Sequence, residues 1–212
     1  MKKKWTMITS IIALILIVGV LAGPVMSDVE KPDYKVIQSG QNIEIRQYEP
    51  MIIAEVEVDG KREGAIGDGF RLIADYIFGN NTVKRDIAMT APVQQQESQK
   101  IAMTAPVQQQ STGRSWQISF VMPSKYSMES LPEPNNDRVR LKEILTKKFI
   151  VIEFSGTNSN ENVTKHENQL MNYIEGNNLK ITGSPKYAFY NAPWTLPFMR
   201  RNEVMIEINQ QQ

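Results

Sequence analysis

The chain of 212 residues has no cysteine and a single histidine, His166. Without cysteine there can be no disulfide, thiol nucleophile, iron–sulfur ligation, thioether-linked cofactor or lipid-modified N-terminal Cys. One histidine cannot build the multi-ligand sets that zinc requires. A Ser–His–Asp triad would have to use His166, and no Gly-x-Ser-x-Gly turn accompanies it. Gly-x-Gly-x-x-Gly and Walker loops are missing, and Gly64–Gly69 (GAIGDG) follows neither pattern. An excess of one charge is missing too: 24 basic residues face 23 acidic ones. Three of the basic residues are Lys2, Lys3 and Lys4, and the remainder is slightly acidic. With no basic stripe interleaved with aromatics, a nucleic-acid partner is not expected.

What is present begins with a membrane signal. After the basic Met1–Lys4, residues Thr6–Met26 carry no charge, and Ile11–Ala22 is strongly apolar. A charge at the bilayer centre costs a few kcal/mol, so an uncharged run of this length suits lipid. The segment 1–27 reads as a retained anchor or as a cleaved secretory signal, with small residues near Ala22 or Ser27 as cleavage points. Either way the lysines stay in the cytoplasm and the rest is exported. The domain is then membrane-anchored, or secreted or periplasmic after cleavage. Residues 28–33 read as a linker and 34–209 as one domain.

Ile87–Gln96 (IAMTAPVQQQ) recurs letter for letter at Ile101–Gln110. Each copy reads as a short strand, Ile-Ala-Met-Thr, stopped by Ala-Pro-Val. Joined by the polar Gln94–Lys100, the two copies suggest a hairpin whose Met and Ile side chains line an apolar pocket. A duplication that merely lengthens a hairpin is the alternative.

Tyr34–Ser39 and Ile43–Tyr48 read as strands around the turn signal Gly40-Gln41-Asn42, and period-two alternation marks Ile43–Tyr48 and Met51–Val58. Arg62–Phe78 changes to helical period, with Ile66, Phe70, Ile73, Ala74 and Ile77 on one stripe. Further strands are expected at Trp116–Met122, Val139–Glu143, Phe149–Phe154, Leu179–Thr182, Tyr187–Asn191 and Glu203–Ile208. A second helix is expected over Val163–Glu175. Each half therefore reads strand, strand, helix, strand, strand. Two such units predict an α+β fold: two pseudo-symmetric repeats forming a distorted antiparallel barrel with two helices packed outside.

Five segments stand in the order found in one family: Glu44–Pro50 (EIRQYEP), Ile87–Val93 (IAMTAPV), Phe120–Tyr126 (FVMPSKY), Leu131–Pro134 (LPEP) and Arg200–Val204 (RRNEV). In these the chain resembles the SOUL haem-binding proteins over roughly Tyr34–Ile208. The resemblance implies two βαβ-type repeats in a distorted barrel, similar in shape to GyrI-like effector-binding modules. It implies binding of haem or another tetrapyrrole against the first helix and nearby loops. By position that points to Phe70, Ala74, Ile77 and Phe78, with Tyr190 and Arg200 near the C-terminal motif. Two departures weaken ligand-specific haem binding. Gln47 stands where some relatives have His, and an amide oxygen is a poor iron ligand. The loop Trp194-Thr195-Leu196-Pro197 lacks a Lys that some relatives carry.

Several residues admit two readings. Met89 and Met103 offer thioether ligands or soft core filling. His166 has polar neighbours, which places it on a solvated helix face rather than on iron. Tyr190 closes a pocket or ligates as phenolate. Arg200 and Arg201 pair with porphyrin propionates or with surface carboxylates. The apolar loop Trp194–Met199 (WTLPFM) is a pocket lip or folds onto the core. The leading expectation is a non-catalytic module that holds a tetrapyrrole in an apolar recess between the first helix and the sheet. The alternative is an effector-type module for other apolar small molecules. A hydrolase using Glu203 and Tyr190 as an acid–base pair ranks third.

Overall fold

In the computed structural model, residues 29–83 and 98–209 are described. The expected membrane segment, Met89 and the first copy of the repeat lie outside the described residues. Among the described residues no helix is long and apolar enough to cross a membrane.

The three N-terminal strands form as expected: β1 (Tyr34–Ser39), β2 (Ile43–Tyr48) and β3 (Met51–Asp59). Helix α1 (Arg62–Ile77) follows, then the two-residue β4 (Asn81–Thr82), β5 (Val107–Ser111) and β6 (Ser115–Val121). The second half holds β7 (Glu133–Pro134), β8 (Arg140–Ile144), β9 (Lys147–Phe154), α2 (Asn160–Gly176), β10 (Lys186–Phe189) and β11 (Asn202–Glu207). Nine strands make one antiparallel sheet in the order β1-β2-β9-β11-β10-β5-β6-β3-β8, and β4 pairs with β7 separately. The two repeats thus share one continuous sheet rather than pairing two. The ends of that sheet, β1 and β8, do not pair with each other, so the expected barrel is an open half-barrel. Both helices cover one face, as expected.

Each helix buries its stripe on its own half of the sheet. Ile73 and Ile77 of α1 meet Ala54 and Val56 of β3 and Ile118 and Phe120 of β6, all essentially without solvent exposure. Gly69 allows this approach: a Cβ there would sit 2.4 Å from Ile118 Cγ1. The GAIGDG run is therefore helix, and its last glycine is a packing residue. Val163, Leu170 and Ile174 of α2 pack on Ile150, Ile152, Val204 and Ile206. Helix α2 begins three residues earlier than the apolar period suggests. Ser159 caps it, its side chain accepting from Asn162 N.

Two expected strands are corrected. Ile101–Thr104 is irregular. Its backbone serves other elements: Ile101 N donates to Ile77 O, Ala105 N to Glu30 O, and the Thr104 hydroxyl to Val121 O. The strand of the second copy is its polar end, Val107–Ser111, held between β6 and β10. Leu179–Thr182 forms only a single bridge, Ile181 to Ile208. Residues 29–33, read as a linker, are bonded to the domain: Val29 packs on an apolar cluster and Glu30 Oε1 accepts from Ser124 N.

Candidate functional site

The face of the sheet away from the helices carries the alternate residues of each strand. On β2 these are Glu44, Arg46 and Tyr48; on β9 Lys147, Phe149, Val151 and Glu153; on β11 Glu203, Met205 and Glu207. The apolar members close together: Tyr48, Phe149, Val151, Ala188, Tyr190 and Met205 form one buried cluster. Beside it lies a buried charge network. Glu203 has no solvent exposure and Arg46 almost none. Arg46 Nη1 donates to Glu203 Oε1 at 2.8 Å, and Arg201 Nη2 donates to the same oxygen at 2.6 Å. The Tyr190 hydroxyl donates to Glu203 Oε2 at 2.8 Å. Glu44 and Glu153 hold the outer edges of the guanidinium groups, at 2.7 Å from Arg46 and 3.2 Å from Arg201. Tyr34 and Tyr190 cover Arg46 and Arg201, with centroid distances of 4.5 and 4.3 Å. Burial next to the Glu203 carboxylate holds the Tyr190 phenol well above its ordinary range, which keeps the hydroxyl protonated.

Glu203 and Tyr190 are in contact, as an acid–base pair requires. A substrate would have to displace two arginines to reach them.

Further along the same face, Lys186 sits 5.6 Å from the Phe149 ring centroid. Burial, and then the charge of Lys147, push the Lys186 amine down to about 8. Below that pH the fold carries a charged amine at a cost, whereas the unfolded chain keeps its proton up to about 10.5. Stability should therefore rise as the pH climbs between these values. Lys186→Met should be more stable than wild type at pH 7, with the advantage shrinking toward pH 10.5. Urea unfolding at both pH values checks this, and an equal difference at both would contradict it.

The sequence-derived residues fall in separate places. Phe70 and Ala74 lie along one stripe of α1, and Phe78 follows at its C-terminal cap. Ala74 is buried, Phe70 and Phe78 are exposed, and Phe70 leans on Phe120 at 5.5 Å. Ile77 is fully buried in the core. The recess expected between α1 and the sheet is closed, because Ile73, Ile77, Ile118 and Phe120 fill it. Met103 is exposed on the irregular segment after α1. Gln47 is half-buried on β2, one residue from Arg46 and therefore on the opposite face. Tyr190 belongs to the charge network. Arg201 is paired with Glu203. Arg200 instead donates to the Thr195 and Pro193 carbonyls, at 2.7 and 2.5 Å, and so fixes the loop before it.

Sequence reasoning missed the surroundings of His166. A recess of about 860 Å³ lies between α2, the β1–β2 turn and the loop around Pro197. His166, Phe154, Lys165, Phe198, Met199 and Arg200 line it. His166 is half-buried and stacks on Phe154, with centroids 4.0 Å apart and planes 10° apart. This replaces the solvated position expected for it. Its neighbours in sequence are polar, but β9 brings Phe154 against its ring. Phe198 is strongly exposed, which makes the Trp194–Met199 loop a lip rather than a core segment. Among the described residues no group of three or more His, Cys, Asp or Glu could hold a bare metal ion.

Comparison with known proteins bears on the fold and on the family separately. No curated protein matches the sequence. Among solved structures the chain is similar to the C-terminal domain of EcmrR (9% identity, TM-score 0.58, covering 83% of this chain and 98% of that one). It is also similar to a hydrolase from Listeria innocua (11% identity, TM-score 0.52, covering 82% and 94%). A third similar structure is a conserved protein from Listeria innocua (15% identity, TM-score 0.51, covering 79% and 92%). At such identities the likeness is one of fold alone. The sequence also matches the family model described as SOUL heme-binding protein over residues 29–207, nearly the whole of the described domain. With that span matched and the five motif segments in order, the chain belongs to the SOUL heme-binding protein family.

Proposed function

We propose that this domain binds haem or a closely related tetrapyrrole without transforming it, and that residues 1–27 tether or deliver it to a membrane. The observation that carries the binding reading is the family match over residues 29–207. The chemistry of the chain is compatible with it. A tetrapyrrole brings its own metal, so a protein with no cysteine and one histidine can still hold iron. Binding would draw mainly on apolar area removed from water, about 25 cal/mol per Å². The exposed Phe70 on α1 and Phe78 at its C-terminal end, with Met103, offer apolar surface for this. The resemblance in shape to effector-binding modules keeps one alternative in view, a module for other apolar small molecules.

Native mass spectrometry of the full chain isolated from its own host separates the two. One tetrapyrrole mass per chain is expected. A different small molecule in its place would favour the effector reading. The intact mass from the same experiment reports whether the uncharged run Thr6–Met26 is retained or removed.

A further inference from the structure

We infer that Lys186 is a carbonyl-reactive amine, and that it forms an imine with a short uncharged aldehyde seated between β10 and the β8–β9 turn. The inference goes beyond the tetrapyrrole reading and stands whether or not that reading holds.

The amine lies in an apolar setting that opens to solvent. A recess of about 30 Å³ is lined by Met51, Ile144, Leu145, Phe149 and Met205, with Lys147 and Lys186 as its two amines. Pairing of Lys186 with Met205 across β10 and β11 puts the amine on the face that carries Phe149. Lys186 is half-buried, and Leu145 beside it is strongly exposed.

Lys186 is left without a counter-ion. Glu207 on β11 is held by Lys147 at 2.6 Å. Among the described residues the Lys186 amine makes no hydrogen bond or ion pair, and its contact is the Phe149 ring at 5.6 Å. Burial is the largest influence on it and favours the neutral amine. Lys147 on β9 and, more weakly, Lys142 on β8 act the same way, against Glu207 on β11 and Glu55 on β3. The Tyr48 phenol on β2 also lines the recess, and burial keeps it neutral. With a pKa of about 8, roughly a tenth of the Lys186 amine is neutral at pH 7, against about one part in three thousand for a lysine at its ordinary value. Desolvation and a neighbouring ammonium are the two devices that make a lysine nucleophilic.

The neutral nitrogen attacks the carbonyl carbon, and a C–N bond forms. The nitrogen then passes both its protons to the carbonyl oxygen by way of solvent, the C–O bond breaks, and water leaves behind a C=N bond. Nothing is oxidised or reduced, and hydrolysis reverses the step. The recess has room for roughly two or three carbon atoms, which sets the size of the aldehyde.

The test is reductive alkylation of the full-length chain in detergent with acetaldehyde and cyanoborohydride, read residue by residue by peptide mass spectrometry. At pH 7 Lys186 should be labelled about tenfold or more faster than the exposed Lys61 and Lys100, and the ratio should shrink toward pH 10 as those lysines lose their protons. Leu145→Asp puts a carboxylate beside the amine, and Lys147→Met removes the neighbouring ammonium and frees Glu207. Each should slow labelling of Lys186 several-fold at pH 7, with circular dichroism unchanged. Naphthaldehyde, too large for the recess, should label Lys186 no faster than Lys61. Equal rates at Lys186 and Lys61 with acetaldehyde overturn the inference. So does a Lys186 advantage that both variants leave intact, or one that naphthaldehyde shares.

Discussion

Glu203→Ala is expected to lower the unfolding free energy by about 3–5 kcal/mol, since removing one partner strands buried charges. Glu203 is the hub on which Arg46 and Arg201 converge, and both guanidinium groups are bonded to the same carboxylate oxygen. Without it Arg46, almost fully buried, keeps as carboxylate partners only Glu44 and the distant Glu153, with a long bond to the Tyr48 hydroxyl. The Tyr190 hydroxyl also loses its acceptor. A triple variant, Arg46→Met with Glu203→Leu and Arg201→Met, removes the central carboxylate and both guanidinium groups at once, leaving only the more exposed Glu44 and Glu153. It should recover most of the loss, because desolvation of a buried network offsets much of its attraction. The exposed pair Lys35–Glu49 serves as control, and Glu49→Ala should cost less than about 1 kcal/mol. Urea unfolding of all three variants checks the series. A Glu203→Ala loss no larger than that of Glu49→Ala would contradict the central place given to the network.

The second large effect is a difference of sign between two glycines of one helix. Gly64→Ala should stabilise the protein by roughly 0.5–1 kcal/mol, because alanine loses less backbone freedom in a helix. Nothing lies within 4 Å of a Cβ at that position. Gly69→Ala gains the same propensity but places its methyl 2.4 and 2.6 Å from Ile118 Cγ1 and Cβ. Ile118 is fully buried, so α1 must lift from β6 or Ile118 must leave its rotamer. Overpacking of this kind costs about 1–3 kcal/mol, more than the propensity gain at its upper end. Thermal unfolding should show Gly64→Ala above wild type and Gly69→Ala below it. Ile118→Ala removes the two Cγ atoms that the new methyl meets, so it should cost less in the Gly69→Ala background than in wild type.

Most of the scaffold could be read from periodicity. Alternation located β2 and β3, the apolar stripe located α1, and the turn at residues 40–42 located β1, which is almost wholly exposed. The polar start of α2 escaped that signal, although Ser159 as a capping residue marks it. The second copy of the repeat was misread for a physical reason. Its apolar Ile-Ala-Met-Thr looks like a strand, whereas the actual strand is rich in glutamine. Gln109 is fully buried there, yet its amide is satisfied by donating to Arg62 O at 2.7 Å. A buried polar strand of this kind is invisible to a hydropathy pattern.

The two site regions were legible to different degrees. Alternation in Ile43–Tyr48 already puts Arg46 opposite Ile45, and that in Asn202–Ile208 puts Glu203 opposite Val204. That the two meet depends on β9 lying between β2 and β11, a register joining residues 157 positions apart. His166 was harder, because its aromatic partner Phe154 comes from another element and its chain neighbours are polar. The five motif segments did announce the family.

Titration of the full-length protein with hemin, followed by Soret absorbance, tests the binding account most directly. The account predicts a shifted band that saturates at one hemin per chain. Absorbance that grows as free hemin, with circular dichroism showing the protein folded, would contradict it.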